Sequence, residues 1–272
     1  MRPAQIGLRK GDARRTRPPR RRERGRLGTR RRVSEPVAPT LNPALDWDAL
    51  AASFARDRRV RIHDFLTADS AAALTAHLRA RQDWLLVLNS NDRLFELSRS
   101  ARATLPPDRA AALATAVKAQ AQFGFQFHYE SIRVPDAAAD RAADPSPINQ
   151  LALLMSSEPV LERLRHVVGA PDIAFADAQA TAYAPGDFLT AHDDDVEGKN
   201  RRAAYVLGLT PEWRIDWGGL LLVHDDGVAW VPKFNTLNLF TVPQPHSVSQ
   251  VSTFAADRRY AVTGWLRAGV KP

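Results

Sequence analysis

Cysteine is absent from all 272 residues. That excludes disulfides, thiol nucleophiles and every thiolate-held zinc or iron–sulfur site, and it is compatible with a reducing, cytoplasmic location. No run reaches the roughly 18 consecutive apolar residues that a spanning helix needs, so no membrane partner is expected. No apolar segment stands near the start of the chain, so secretion is not signalled. Serine is missing from residues 1–32, which argues against a mitochondrial presequence. Aromatic residues are missing from residues 1–43, which removes the usual platform for stacking on nucleic-acid bases.

What is present is unevenly distributed. Residues 1–32 hold 14 Arg and Lys against Asp12 and Glu23, and the other 240 residues hold 24 basic and 28 acidic, a net of −4. The sequence pI of about 10.4 therefore belongs to the opening segment and not to the rest. Residues 1–43 have no hydrophobic period and repel themselves, and are expected to be a disordered basic tail. Such an arm can neutralise phosphates, so a nucleic-acid partner is conceivable through the tail alone; a solvated tail without a function is the simpler expectation. Apolar residues make up 44% of the chain, ordinary for a globular domain.

Residues 44–272 read as a single domain, with a helical support over 44–121 and a β core over 122–268. In the support, Leu45 to Phe54 is amphipathic and Arg58 to Phe65 resembles a short strand. Thr67 or Asp69 caps a helix, Trp84 to Leu88 reads as a strand, and Pro106-Pro107-Asp108 opens an Ala-rich helix to Ala121. His63 and His77 read as surface or hydrogen-bonded residues. Phe123 to Val134 alternates strictly, with Phe123, Phe125, Phe127 and Tyr129 on one face. Ala137 to Pro147 reads as a polar loop able to fold over a site, and Pro147 to Val168 as a helix restarting at Ser156 or Ser157. From Pro171 the period becomes two. Strands are expected at 173–183, 187–193, 202–209, 218–223, 228–231, 236–242, 247–251 and 260–267. The fold class is mainly β with flanking helices: a double-stranded β-helix, or jelly roll, braced by N-terminal helices.

The chemistry concentrates between Tyr183 and Arg267. His192 and Asp194 are two apart, and on a strand they would face one side. His246 follows 52 residues after Asp194, and Arg259 comes 13 residues later in a strand-like run. Two histidines and one carboxylate are the facial triad of non-heme Fe(II). Taken alone His-x-Asp is weak, because His224-Asp225-Asp226 also fits. That second copy stands before Gly227 between two apolar strands and reads as hairpin-turn chemistry. Arg258 competes with Arg259 for the inward position, since alternation admits one of the two. Trp217, Trp230 and Trp265 read as core.

Residues 181–267 resemble the 2-oxoglutarate/Fe(II) dioxygenases, and within them the prolyl 4-hydroxylase-like branch. The matching pieces, in order, are Tyr183-Ala184-Pro185-Gly186-Asp187-Phe188-Leu189, His192-x-Asp194, Gly218-Gly219-Leu220-Leu221, Val231-Pro232-Lys233-Phe234-Asn235, Leu239-Phe240, Pro245-His246-x-Val248 and Arg259-Tyr260-Ala261-Val262-Thr263-x-Trp265. The resemblance implies that His192, Asp194 and His246 bind Fe(II), and that Arg259 pairs with the distal carboxylate of 2-oxoglutarate, a bidentate contact lysine cannot reproduce. It further implies that Thr263 adds a hydroxyl and that Tyr183 lines the pocket, with O2 as co-substrate and ascorbate as an assay reductant. The expected activity is hydroxylation of prolyl residues in a protein or peptide, coupled to decarboxylation of 2-oxoglutarate. A free amino acid or small natural product is the alternative substrate. An inactive jelly roll docking on RNA through the tail is the alternative of another class.

Departures from the family pattern sharpen these expectations. Tyr205 is displaced by one position from the tyrosine that contacts the co-substrate in many relatives, which on a strand means the opposite face. Ala261 replaces the serine of the Arg-x-Ser version of the motif. Asp194 argues against halogenation, which goes with loss of that carboxylate. Trp265 stands where nucleic-acid demethylases carry a second arginine.

Overall fold

The computed structural model describes residues 38–90 and 93–270. The described residues group into one compact unit. The expectations placed on the basic segment 1–37 fall outside the described residues. Residues 38–43, read above with the tail, are tied to the domain. Leu41 bridges to Leu66, and the Thr40 amide donates to Ser70 Oγ at 3.0 Å.

In chain order the elements are α1 (Trp47–Asp57), β1 (Arg59–Ile62), α2 (Ala68–Ala80), β2 (Leu85–Ser90), β3 (Arg93–Ser98), α3 (Arg99–Ala103), α4 (Pro107–Gln120), β4 (Phe127–Arg133), α5 (Ala138–Ala143), α6 (Pro147–Met155), α7 (Glu158–Val168), β5 (Ile173–Ala176), β6 (Gln179–Tyr183), β7 (Phe188–His192), β8 (Arg201–Gly208), β9 (Leu221–Val223), β10 (Val228–Trp230), β11 (Thr236–Thr241), β12 (His246–Val248) and β13 (Arg259–Ala268). The strands form one curled antiparallel sheet in the order β1-β11-β8-β13-β6-β4-β7-β12-β9-β10, with the β2–β3 hairpin attached through β4 and β5 attached to β13. This is the jelly roll that the sequence period announced.

Strand alternation sorts the two faces. Ala180 and Ala182, Tyr205 and Leu207, Leu237 and Leu239, and Val262 and Leu266 all join one core with Phe54, Leu74, Leu78, Leu151 and Leu164 from the helices. Their neighbours one residue along, such as Thr181, Val206, Phe240 and Thr263, line a cavity on the other face. Helices therefore brace the convex side and leave the concave side free for a site.

Several elements differ from expectation. The strand expected from Phe123 begins at Phe127, because residues 121–124 turn after α4. The segment 137–147, read as a polar loop able to fold over a site, contains α5 and is pinned inward. Arg141 on α5 is 1% exposed and donates to the carbonyls of Ala152 and Ala176 and to Ser156 Oγ. Strand β3 and helix α3 were not anticipated. The strand expected at 173–183 is broken into β5 and β6 around Asp177. The break after Ser157 falls as expected, with Pro159 in the first turn of α7.

Candidate active site

Two strand pairings assemble the pocket. Tyr183 stands opposite Arg259 in the β6–β13 pair, and His192 stands opposite His246 in the β7–β12 pair. Residues paired across a ladder share a face, so each pairing delivers two large side chains to the concave side. The imidazole centroids of His192 and His246 lie 4.1 Å apart, and Phe240 sets its edge on His246 at 4.7 Å.

Asp194 arrives by a different route from the one expected. β7 ends at His192, and Asp194 lies beyond it with φ 65°. The left-handed backbone, costly for a non-glycine residue, turns the carboxylate back over the two rings, where a continued strand would have carried it along the sheet. Arg201 braces this turn. Its Nη1 donates to the Asp194 carbonyl at 2.9 Å and lies 3.8 Å from Asp194 Oδ1, while its guanidinium stacks 3.6 Å above the Trp265 ring.

The protonation pattern then follows. His192 Nδ1 is 3.0 Å from the Thr190 carbonyl and His246 Nδ1 is 2.7 Å from the Gln244 carbonyl. A carbonyl only accepts, so each ring carries a proton on Nδ1 and turns Nε2 inward. Burial first, and the neighbouring His192 second, push His246 down to about 4, which leaves its ring neutral at pH 7. The inward Nε2 atoms stand 3.5 and 3.4 Å from the two oxygens of Asp194. One donor atom from each residue lies within 4.8 Å of the others. Two ring nitrogens and a carboxylate held face to face are a donor set that a cation between them would satisfy. Two imidazoles and one carboxylate, with no thiolate, suit Fe(II).

The same cavity, about 380 Å³, has a cationic end. Arg259 is 4% exposed, its Nε has no hydrogen-bond partner, and it makes no ion pair with any described residue. Burial pushes its pKa down from the usual arginine value. The buried hydroxyl of Thr263, two residues along the strand, is also unpartnered. Tyr183 lies under the guanidinium, 5.2 Å from ring centroid to Cζ, and stacks on Tyr129 at 4.8 Å. Burial raises both phenols, Tyr129 to about 12, so both stay protonated. An uncompensated buried guanidinium is expensive, and among donors alone the fitting guest is a carboxylate.

All six residues singled out from the sequence, His192, Asp194, His246, Arg259, Tyr183 and Thr263, line this one cavity. Arg258 instead joins Arg99 and Arg102 on the buried carboxylate of Glu130. His224 lies in the β9–β10 turn and meets Ser247 Oγ at 2.9 Å. Tyr205 packs toward the helices, its hydroxyl donating to the Asp177 carbonyl at 2.7 Å. Trp265, read as core, lines the cavity beneath Arg201. Sequence reasoning passed over Arg201 and Tyr129. The alternating aromatic run ending at Tyr129 carried the signal for the latter, whereas nothing local distinguished Arg201 from Arg202.

Residues 178–267 match the model of the 2OG-Fe(II) oxygenase superfamily. That stretch holds all three metal donors and Arg259. The chain is similar to the prolyl 3-hydroxylase OGFOD1 of Xenopus laevis, with 38% identity over 101 residues, 33% of this chain and 19% of that protein. It spans about a fifth of the length of the curated relatives it matches. In fold it is similar to a Pseudomonas putida prolyl-4-hydroxylase, with TM-score 0.55 and 19% identity over 83% of this chain and 100% of that one. It is similar also to a Trichoplax adhaerens prolyl hydroxylase solved with a hypoxia inducible factor peptide fragment, with TM-score 0.55 and 15% identity over 82% of this chain and 89% of that one. The oxygenase family brings Fe(II), 2-oxoglutarate and O2 as the groups the pocket must fit, and its donor set and the unpaired Arg259 fit them. No helix among the described residues is long and apolar enough to cross a membrane.

Proposed function

We propose that this chain is an Fe(II)- and 2-oxoglutarate-dependent hydroxylase of prolyl residues in a protein or peptide. His192, Asp194 and His246 would hold the metal, and Arg259 with Thr263 would bind the far carboxylate of 2-oxoglutarate. When bound, the pair supplies the oxidising power: O2 and 2-oxoglutarate yield succinate and carbon dioxide while a substrate C–H bond becomes C–OH. The protein's part is positioning and exclusion. Phe240, Val206 and Leu221 wall the cavity against water, and the backbone-held Nδ1 protons keep both rings in the ligating tautomer.

The observation that carries the reading is the unpaired, buried Arg259 in the same cavity as three converging metal donors. A structural role would pair that charge, as Glu130 pairs with its three arginines. The prolyl assignment is supported by relatives named as prolyl hydroxylases in both sequence and fold, one of them named with a peptide.

Purified protein with Fe(II), ascorbate and 2-oxoglutarate is expected to release succinate, and Asp194→Ala and Arg259→Ala to lose at least about 99% of it, the scale of removing a group that acts in concert with others. Unchanged turnover in either folded variant sinks the assignment. Mass spectrometry of proline-containing peptides against free proline then reads the substrate class, a +16 Da gain on peptides alone being expected.

A further inference from the structure

The mouth of the cavity carries more apolar surface than a solvent-facing rim needs. Of the eight exposed large hydrophobic residues among those described, Leu94, Phe123, Phe125 and Val196 border either the cavity or an open groove of about 770 Å³ that adjoins it. Phe123 is 88% exposed and Phe125 50%. Phe125 and Phe127 line both spaces, so the groove continues directly into the site. Half of the exposed large hydrophobics gathered at one opening form a patch and not the usual scatter.

Hydrogen bonds tie the backbone under this shelf to its neighbours. Asn89 Nδ2 donates to the Phe125 carbonyl at 2.9 Å, and the Phe127 amide donates to Asn89 Oδ1 at 3.1 Å. Thr190 receives the Gln126 amide at 2.7 Å and donates to the Gly124 carbonyl at 3.2 Å. The aromatic side chains are thus presented on a backbone fixed from both sides, which lowers the entropy lost when something docks on them. Leu94 joins them from β3, where it pairs with Asn89.

The second feature of the mouth is charge. Asp193, Asp195 and Glu197 follow directly after the strand carrying His192. All three are exposed and none forms an ion pair with a described residue. Asp193 and Asp195 border the cavity alongside the apolar Val196. An apolar shelf and unpaired carboxylates at one opening complement a chain that offers both a bulky apolar side chain and a cation.

We infer that the shelf of Leu94, Phe123 and Phe125, with the acidic segment 193–197, selects peptide substrates that carry a large apolar residue and a lysine or arginine close to the residue that reacts. This deepens the proposed function and rests on it for the identity of the guest as a peptide. The shelf sets aside chains flanked by small polar residues because they leave its hydrophobic surface wet. The acidic segment sets aside acidic chains by repulsion.

The test is binding, which does not require turnover. Fluorescein-labelled, proline-centred synthetic peptides of one length are titrated by fluorescence anisotropy into protein holding Mn(II) and 2-oxoglutarate. The flanks are apolar plus basic, apolar plus acidic, serine plus basic, or serine plus acidic. The first set is expected to bind at least about tenfold more tightly than the last, a difference of about 1.4 kcal/mol. Asp195→Lys with Glu197→Lys is expected to turn the basic preference into an acidic one, a reversal that a misfolded protein cannot produce. Leu94→Ser with Phe123→Ser is expected to erase the apolar preference and keep the basic one. Equal binding of all four sets, or preferences that survive both variant pairs, overturns the inference. Preferential binding without succinate release overturns the hydroxylase reading and leaves the docking surface standing; succinate release with indifferent peptides does the reverse.

Discussion

A buried charge asks for a reason, and two residues here answer differently. Glu130 is 1% exposed, and burial alone would raise its pKa. Hydrogen bonds from Arg99 and Arg102 and the charge of Arg258 outweigh that and hold it below the usual carboxylate range. Arg259 has no such compensation, which marks it as waiting for a guest. Asp177 is a third case. Burial raises it to about 6, against the amide of Trp265, which donates to it at 2.7 Å. Its folded pKa lies above its unfolded one, so the folded state holds the extra proton and its stabilising share is complete below about pH 4. That share is lost as pH rises from there through about 6, at most about 2–3 kcal/mol. Asp177→Asn is therefore expected to flatten the stability difference between pH 4 and 7, measured by urea unfolding; parallel pH curves for the two proteins contradict the assignment. At this scale His192 and His246 were legible because histidine is scarce, seven in the chain, and their spacing is distinctive, and Arg259 because of its place in a strand-like run. The sequence hid Arg201, because a role played by bracing a backbone carbonyl leaves no pattern.

Strands were more legible than the irregular pieces between them. β13 could be read almost whole. Its alternation puts Arg259, Ala261, Thr263 and Trp265 on one face, and the structure keeps that face toward the cavity. β3 was missed because Arg93 to Ser98 is mostly solvent-facing, so no core imposes a period on it. α5 was missed because a six-residue Ala/Asp helix is held by Arg141 and not by an apolar stripe. Asp194 was placed correctly for an incorrect reason: the strand ends two residues before it, and a left-handed turn does what alternation was asked to do. Close approach is what β13 enforces elsewhere. A Cβ added at Gly264 would fall inside contact of the Asp177 carbonyl and the Tyr205 ring. Gly264→Ala is expected to cost about 2–3 kcal/mol as overpacking between strand and core, read as a lowered denaturation midpoint at unchanged slope. A loss below about 0.5 kcal/mol means the neighbours give way.

For the molecule as a whole, the division of labour is between faces. α1, α2, α6 and α7 cover the convex side of the sheet, whose small and branched residues they pack, and the concave side is left to polar and aromatic groups that meet at one cavity. Composition told only that the chain is globular, and the change of period after Pro171 told both the class of fold and where the sheet lay. The helices that brace it were visible from their caps and amphipathic stripes. What the sequence could not give was the electrostatics of that shared cavity: that no counter-charge to the guanidinium is supplied among the described residues. The central claim is that this cavity takes one 2-oxoglutarate through both ends at once. Calorimetric titration of 2-oxoglutarate into protein with and without Mn(II) measures it directly. The account predicts one site per chain that weakens at least about a hundredfold when the metal is withheld and again in Arg259→Gln, about 2.7 kcal/mol each. Binding that is indifferent to either change would contradict it.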